Sequence, residues 1–323
     1  MPKRTIVVTG GAGFIGSHLV DRLLGRGDAV VCVDDFNDAY DPALKRENVA
    51  AHLEHPAYQL VELDIRDREA VAGLLRDLHP DAVVHLAARA GVRPSLANPW
   101  LYQETNVGGT LNLLEGCRVA EIGRFVFGSS SSVYGCEAAA PFVETEPVLR
   151  PVSPYAATKI AGEAMVHTYA HLYGIAATSL RFFTVYGPRQ RPDLAISKFA
   201  ARILGGETIE LYGDGTSSRD YTHVDDIVRG TLAALDRDAP GYAIYNLGSA
   251  RPTTLRDLVT ALEGLLGQAA KIRWMPMQPG DVPRTHADLE RARADLGYAP
   301  SMTLAEGLAD FVRWLRPRLE APR

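Results

Sequence analysis

The chain is short of the features that mark secreted, membrane-bound or nucleic-acid-binding proteins. Cysteine is scarce: Cys32, Cys117 and Cys136 are the only three in 323 residues. Their wide separation offers neither a disulfide framework nor metal-ligand spacing, and reduced thiols in a cytoplasmic protein fit best. No apolar run approaches the roughly 20 residues that a membrane helix needs. Met1-Pro2-Lys3-Arg4 is too short for the charged head of a secretory signal, since the apolar run behind it breaks at Gly10-Gly11. Positive charge is not in excess either. A net charge of -5 argues against nucleic acid as a partner and leaves any anionic ligand to local arginines. His18, His85 and His223 are scattered over helix, strand and loop, so no metal site is expected. Internal repeats and low-complexity linkers are also missing.

What is present is a 46% hydrophobic chain, enough for one large domain with a smaller partner. Apolar, β-branched runs at 5–9, 29–33, 58–63, 81–87, 124–127 and 176–183 read as buried strands. Helical patterns separate them: Leu19, Leu23 and Leu24 mark one, and others cover 44–53, 68–78, 98–119 and 155–173. That alternation predicts βαβ units in a Rossmann-type, doubly wound parallel α/β sheet. The rhythm changes after Gly187-Pro188. Helices are expected at 194–204, 224–235, 255–266, 287–296 and 304–315, with a short strand at 208–212. Residues 1–186 are therefore expected to form the dinucleotide-binding domain, which the segment about 224–249 rejoins through a strand at 242–247. Residues 187–323 form a smaller C-terminal α/β lobe that closes over the strand ends and binds the substrate.

Gly10, Gly13 and Gly16 follow the first strand and open a helix. In that setting they permit a tight turn, close approach to a pyrophosphate, and close helix–strand packing. The helix N-terminus offers free N–H groups and a positive dipole end to the phosphates. Asp34, at the end of the second strand, suits adenosine ribose hydroxyls and repels a 2′-phosphate, which favours NAD over NADP. Asp64-Ile65 either brackets the adenine or supplies a capping aspartate to the next helix.

A second constellation runs from Gly128 to Lys159. Phe125-Val126-Phe127 leads into four serines, so hydroxyls should sit at the C-terminal end of a buried strand. Ser153-Pro154 reads as an N-cap with proline at the first helical position. Tyr155 and Lys159, four apart, then share one helix face. To act as a base near neutrality, a phenol that titrates near pH 10 must be lowered by about 4 kcal/mol. One cation about 4 Å away supplies that at an effective dielectric near 20. Lys159, helped by the positive nicotinamide, is expected to do so.

The Gly-loop, Leu86-Ala87-Ala88, the Ser-x-x-Val-Tyr-Gly segment ending at Gly135 and the Tyr-x-x-x-Lys pair resemble the extended short-chain dehydrogenase/reductase family of nucleotide-sugar enzymes over essentially the whole chain. The resemblance implies Ser130 and Tyr155 as catalytic serine and acid/base, with Lys159 on the nicotinamide ribose. It also places Phe14, Ile15, Asp35, Asn37, Leu86, Ala87 and Ala88 along the cofactor. Family dehydratases carry an Asp-Glu pair after the catalytic residue, and the related decarboxylases a Glu in this segment. Here Ser131 and Ser132 stand instead and cannot do carboxylate chemistry, which leaves an epimerase.

Arg89 to Ser95, Arg181 to Pro188, Arg191-Pro192-Asp193 and Met277 to Val282 are most similar to UDP-glucuronate 4-epimerases. Through that likeness Ser131, Ser132, Thr184 and Arg191 surround the C5 carboxylate. Arg219 takes the diphosphate, Arg93 the diphosphate or the cofactor, Tyr212 the uracil, and Gln278 and Asp281 the uridine. Arg191 has a rival role on phosphate or at the surface, which would go with a UDP-glucose/UDP-galactose 4-epimerase. Lys198 reads as solvated, Asn106 as support for the serine strand, and Cys136 as a bystander. The intact Ser130, Tyr155 and Lys159 weigh against a non-catalytic NAD-binding sensor. The family likeness further implies a homodimer built from the helices expected at 98–119 and 155–173.

Overall fold

A computed structural model of the chain describes residues 3–277 and 282–320. Its centre is a seven-stranded parallel sheet made of β1 (Thr5–Thr9), β2 (Ala29–Asp34), β3 (Tyr58–Glu62), β4 (Ala82–His85), β5 (Arg124–Ser130), β6 (Ala176–Phe182) and, much later in the chain, a strand at Tyr242–Leu247. From one edge to the other, the six N-terminal strands run β3-β2-β1-β4-β5-β6, and the late strand joins beyond β6. The order reverses between β1 and β4. In such sheets that switch opens a crevice at the C-terminal strand ends.

Alternate side chains of each strand point to opposite faces, and both faces are apolar, as a parallel sheet buried on both sides requires. On one face Ile6, Val8, Val84 and Val126 meet Leu19, Val20 and Leu23 of α1 (Phe14–Gly25) and Ile227 and Val228 of the helix at Val224–Leu235. On the other, Val7, Val83, Phe125 and Phe127 meet helices at Arg68–Leu78, Gly109–Val119 and Pro154–Tyr173. With α2 at Pro42–Ala50, these are α3, α6 and α7; α4 (Val92–Ala97) and α5 (Pro99–Tyr102) lie between. Full burial of each aromatic in this layer is worth about 1.5–3 kcal/mol.

The stretch expected as one helix over 98–119 is interrupted. Asn98 caps α5 by accepting from Leu101 N at 3.2 Å, and a π-helical turn at Gln103–Gly108 joins α5 to α6. The physical cause lies at Asn106. Its buried amide accepts from Arg89 N at 2.8 Å and donates to Arg89 O and to Thr158 Oγ1, both at 3.0 Å. The extra residue in the turn lets that amide face the loop after β4 and α7. Asn106 thus supports that loop rather than the serine strand.

The C-terminal lobe is more regular than expected. Besides β8 (Thr208–Tyr212) it holds β7 (Thr184–Tyr186), β9 (Ser218–His223), β11 (Pro252–Thr254) and β12 (Lys271–Met275), and the late strand of the main sheet is β10. β7, β9 and β11 form one small sheet, β8 and β12 another. Helices α8 (Ala195–Leu204), α10 (Leu255–Leu266) and α12 (Leu304–Glu320) close its core around Phe199, Leu262 and Phe311. The helix beside β10 at Val224–Leu235 is α9, and α11 is Glu290–Leu296. No helix among the described residues is long and apolar enough to cross a membrane.

Candidate active site

A cleft of about 680 Å³ runs along the C-terminal ends of the main strands, with the small lobe as its far wall. Gly10 (φ +69°) makes the turn out of β1, and a Cβ there would meet Ala87 N at 2.7 Å. One on Gly16 would stand 2.1 Å from the Gly10 carbonyl oxygen. Only glycines allow the loop after β4 and the start of α1 to approach this closely. Gly13 caps α1 without a side-chain bond, and no acid lies in the first turn. The free N–H groups there face the cleft as an anion cradle.

Asp34, Asp35 and Asn37 line the cleft beside the loop, with Phe14, Ile15, Ile65, Leu86, Ala87 and Ala88. Asp34 accepts from Ala12 N at 3.2 Å and Phe36 N at 3.0 Å, and Lys45 Nζ stands 3.4 Å away. Burial pushes the Asp34 carboxyl up and Lys45 opposes the rise. Asp64 does not take the capping role expected as one of its two readings. Asp67 is the residue that caps α3, while Arg66 holds the Asp64 carboxylate through Nε and Nη2 between the cleft residues Leu63 and Ile65.

Ser153 caps α7 by accepting from Ala156 N at 3.1 Å, with Pro154 at the first position. That start aims Tyr155 into the cleft opposite Ser130, the last residue of β5. Ser130 Oγ accepts from Ser132 N at 3.2 Å, and Ser131 and Ser132 turn along the wall in a single 3-10 turn. Lys159 is buried and donates to the Gly128 carbonyl at 2.6 Å.

The electrostatics differ from the sequence expectation. Burial pushes the Tyr155 phenol up, and what opposes the rise is the Ser130 hydroxyl and the Arg191 guanidinium. Lys159 stands 6.0 Å from the Tyr155 ring centre with its charge turned to a carbonyl. Burial holds its own ammonium down to about 8, with Glu163 opposing the fall. Arg191 and Ser130, to which the spacing gave no such task, therefore oppose the rise of the phenol.

Along the far wall lie Thr184, Arg191, Arg93, Tyr212 and Arg219. Arg191 donates to both carboxylate oxygens of Asp193, through Nε at 2.9 Å and Nη2 at 2.6 Å, and its Cζ lies 5.8 Å from the Tyr40 ring centre. The Arg93 guanidinium lies over Tyr212, 4.7 Å from the ring centre. Arg219 is aimed by its neighbour. The fully buried Asp220 accepts from Ser249 N at 2.7 Å and from Ala250 N and Ala287 N, both at 3.0 Å, which fixes β9. Lys198 is exposed at the cleft edge, as is Cys136 on the surface. Gln278 and Asp281 lie outside the described residues.

Four residues in or beside the site had no role assigned to them from the sequence: Tyr40, Lys45, Asp193 and Glu163. Glu163 had a signal, since it sits four after Lys159 on the same helix face. Lys45 stands in a run of charges on α2 and had none.

Comparison with known proteins agrees with this geometry. Residues 6–248 match the pattern described as the NAD dependent epimerase/dehydratase family. UDP-glucuronate 4-epimerase 4 of Arabidopsis thaliana is 45% identical over 96% of this chain and 75% of its own length. The crystal structure of UDP-glucuronic acid 4-epimerase from Bacillus cereus, in complex with UDP-glucuronic acid and NAD, is similar with a TM-score of 0.91 and 36% identity; the match covers 97% of this chain and 99% of that one. UDP-glucose 4-epimerase of Thermotoga maritima, with UDP-glucose, gives a TM-score of 0.90 and 35% identity over 98% and 99%.

Proposed function

Because the chain belongs to the NAD-dependent epimerase/dehydratase family, we propose that this UDP-sugar 4-epimerase interconverts UDP-glucuronate and UDP-galacturonate on a retained NAD. One observation carries the reading: a single cleft brings the glycine loop, the Ser130–Tyr155–Lys159 set and Arg191 together.

The residues fit the cofactor. The contacts at Gly10 and Gly16 leave no room for a Cβ, and the unclaimed N–H groups at the start of α1 suit a pyrophosphate. Asp34 would take the adenosine ribose, with Lys45 3.4 Å from its carboxylate and opposing the effect of burial. Ile65, Leu86, Ala87 and Ala88 line the rest of the groove. When bound, NAD supplies the hydride acceptor at C4 and the hydride donor for the return.

Tyr155 takes the proton of the sugar C4 hydroxyl and later gives it back, while the Ser130 hydroxyl orients that oxygen. Lys159, fixed on the Gly128 carbonyl, holds a buried positive charge beneath the reacting end. Ser131, Ser132 and Thr184 offer hydroxyls to the C5 carboxylate and Arg191 a charge-assisted bond. Arg219, Arg93 and Tyr212 hold the UDP end, about which the 4-keto sugar turns to present its other face. No carboxylate stands at 131 or 132 to remove a C5 proton, which is why the reaction ends in inversion rather than elimination.

We further propose a homodimer that packs α6 and α7 against their counterparts. Leu111, Leu172 and Tyr173, which project from these helices at 41%, 60% and 49% exposure, support it. A cytoplasmic setting agrees with three free thiols.

A second reading, a UDP-glucose/UDP-galactose 4-epimerase, draws on the same arginine. Asp193 already neutralises Arg191, as a site for an uncharged C5 substituent would allow. The deciding assay incubates the purified protein with each UDP-sugar and measures the C4 epimer formed. Turnover of UDP-glucuronate at least about tenfold above UDP-glucose in kcat/KM is expected; the reverse preference overturns the substrate assignment.

A further inference from the structure

Beneath the serine strand lies a buried charged cluster that the chemistry above does not use. Glu163 stands one turn beyond Lys159 on α7 and is 6% exposed. Its Oε1 accepts from Ser129 Oγ at 2.5 Å and from Arg181 Nε at 3.0 Å, and its Oε2 from Arg181 Nη2 at 2.8 Å. Arg181 is the β6 residue registered opposite Ser129 of β5. Gly162 brings this part of α7 down onto the sheet, since a Cβ there would stand 2.4 Å from Phe127 Cζ.

The groups around Lys159 show what Glu163 does. From β4, His85 faces it; burial and the Lys159 charge hold that imidazole down to about 3, so it is neutral. β5 offers the Gly128 carbonyl, the Phe127 ring and the Ser129 and Ser130 hydroxyls, all uncharged. β6 brings a second cation, Arg181. From β10 comes only the Tyr242 phenol, whose own pKa is raised by burial and by Glu163. On α7 itself Tyr155 is a neutral phenol. Two buried cations therefore flank the Glu163 carboxylate, and Arg181 also donates to the backbone carbonyl of the buried Glu144 at 3.4 Å.

We propose, on the reading of the site given above, that Glu163 is a positioning residue for Ser130, Tyr155 and Lys159: it ties the serine strand end to α7 through Ser129 and holds the positive charge on Lys159. A purely structural pair with Arg181 would need neither the hydroxyl bond to the neighbour of Ser130 nor a place one turn from the lysine. The opposition of Glu163 to the fall of the Lys159 ammonium agrees with this role.

The test uses Glu163→Gln together with the double variant Glu163→Gln/Arg181→Met. The double variant removes both charges of the pair, and replacing a buried pair by neutral groups of similar size is tolerated where a lone charge is not. Two readouts are taken: the pH profile of kcat on whichever UDP-sugar the wild type turns over, and the titration of the Lys159 ammonium followed by NMR in lysine-labelled protein. In Glu163→Gln the loss of one nearby opposite charge should move the Lys159 titration, and the alkaline limb of kcat, down by about one pH unit or more; in the double variant, which also loses the Arg181 cation, both should return toward wild type. Below that limb kcat should come within about threefold of wild type. An unmoved titration in Glu163→Gln overturns the proposal, as does a double variant whose titration falls as far as the single variant's or a loss of kcat that is uniform in pH. The NMR readout does not depend on which substrate is turned over, so a mistaken substrate assignment cannot be confused with a failure here.

Discussion

On the proposed reading Arg191 decides between a uronate and a neutral sugar, and its worth can be worked from its surroundings. Nε and Nη2 are spent on Asp193 at 2.9 and 2.6 Å, so the C5 carboxylate of the proposed substrate would meet the edge that carries Nη1. A hydrogen bond between charged groups is worth about 1.5–3 kcal/mol net, a factor of roughly 10 to 150. Arg191→Ala also strips Asp193 of its partner and leaves that carboxylate facing an anionic substrate, which pushes the loss toward the upper end. UDP-glucuronate should therefore lose about 100-fold in kcat/KM, and UDP-glucose no more than about threefold, a change within the range of lost surface packing. Adding Asp193→Asn removes the stranded anion and should recover about tenfold of the uronate loss, since neighbouring charges couple rather than add. Steady-state kinetics on both UDP-sugars, run on the wild type, the two single variants and the double, complete the cycle. Equal losses on both sugars, or no recovery in the double variant, would refute the reasoning and put the C5 carboxylate elsewhere in the cleft.

Two further outcomes are expected. Tyr155→Phe should keep its NAD, measured by release on denaturation, and lose turnover by about 10³-fold or more; near-normal activity removes the phenol from acid/base work. His85 bonds Thr9 at 2.7 Å and Thr110 at 3.0 Å and stays neutral in the fold down to about pH 3. Its folded value is below the unfolded one of 6.5, so only the unfolded chain takes up this proton between the two. Stability from this group is whole above pH 6.5 and falls toward pH 3, by about 1.4 kcal/mol per pH unit at most. Urea unfolding across that window should show a shallower acid slope in His85→Asn than in the wild type; parallel slopes exclude His85 as the source.

The parallel sheet was legible because each of its strands is written locally, as a short β-branched run buried on both faces. The C-terminal lobe was harder. β9 reads Ser-Arg-Asp-Tyr-Thr-His, a polar strand whose burial depends on Asp220 collecting amides from residues 249, 250 and 287. Nothing within ten residues of Asp220 announces those partners. The π turn at Gln103–Gly108 escaped for a similar reason. A helical period fits 98–119 well, and the extra residue is called for by an amide that bonds Arg89 on one side and Thr158 on the other.

The same distinction explains the site. Residue types at fixed spacing, such as three glycines after a strand or a tyrosine four before a lysine, name the candidate groups of the site. They do not state the sign or size of the field those groups feel, because the field comes from partners that the fold supplies. Tyr155 shows it best. Spacing suggested that Lys159 lowers the phenol, yet in the structure Lys159 turns its charge to a carbonyl and burial raises the phenol instead. The opposing cation is Arg191, 36 residues away in sequence, and its own charge is balanced by Asp193. A phenol raised by burial is an inactive base, which suits a protein that should not turn over until its ligands are in place. A bound nicotinamide would add a second positive group to Arg191 near the phenol, while Asp193 would have to share Arg191 with the substrate. The pH at which Tyr155 begins to act as a base should thus depend on what occupies the C5 pocket, which makes the acid limb of kcat for UDP-glucuronate differ from that for UDP-glucose. With the uronate, its carboxylate draws on the Arg191 charge that would otherwise stabilise the phenolate, so that limb should lie at the higher pH.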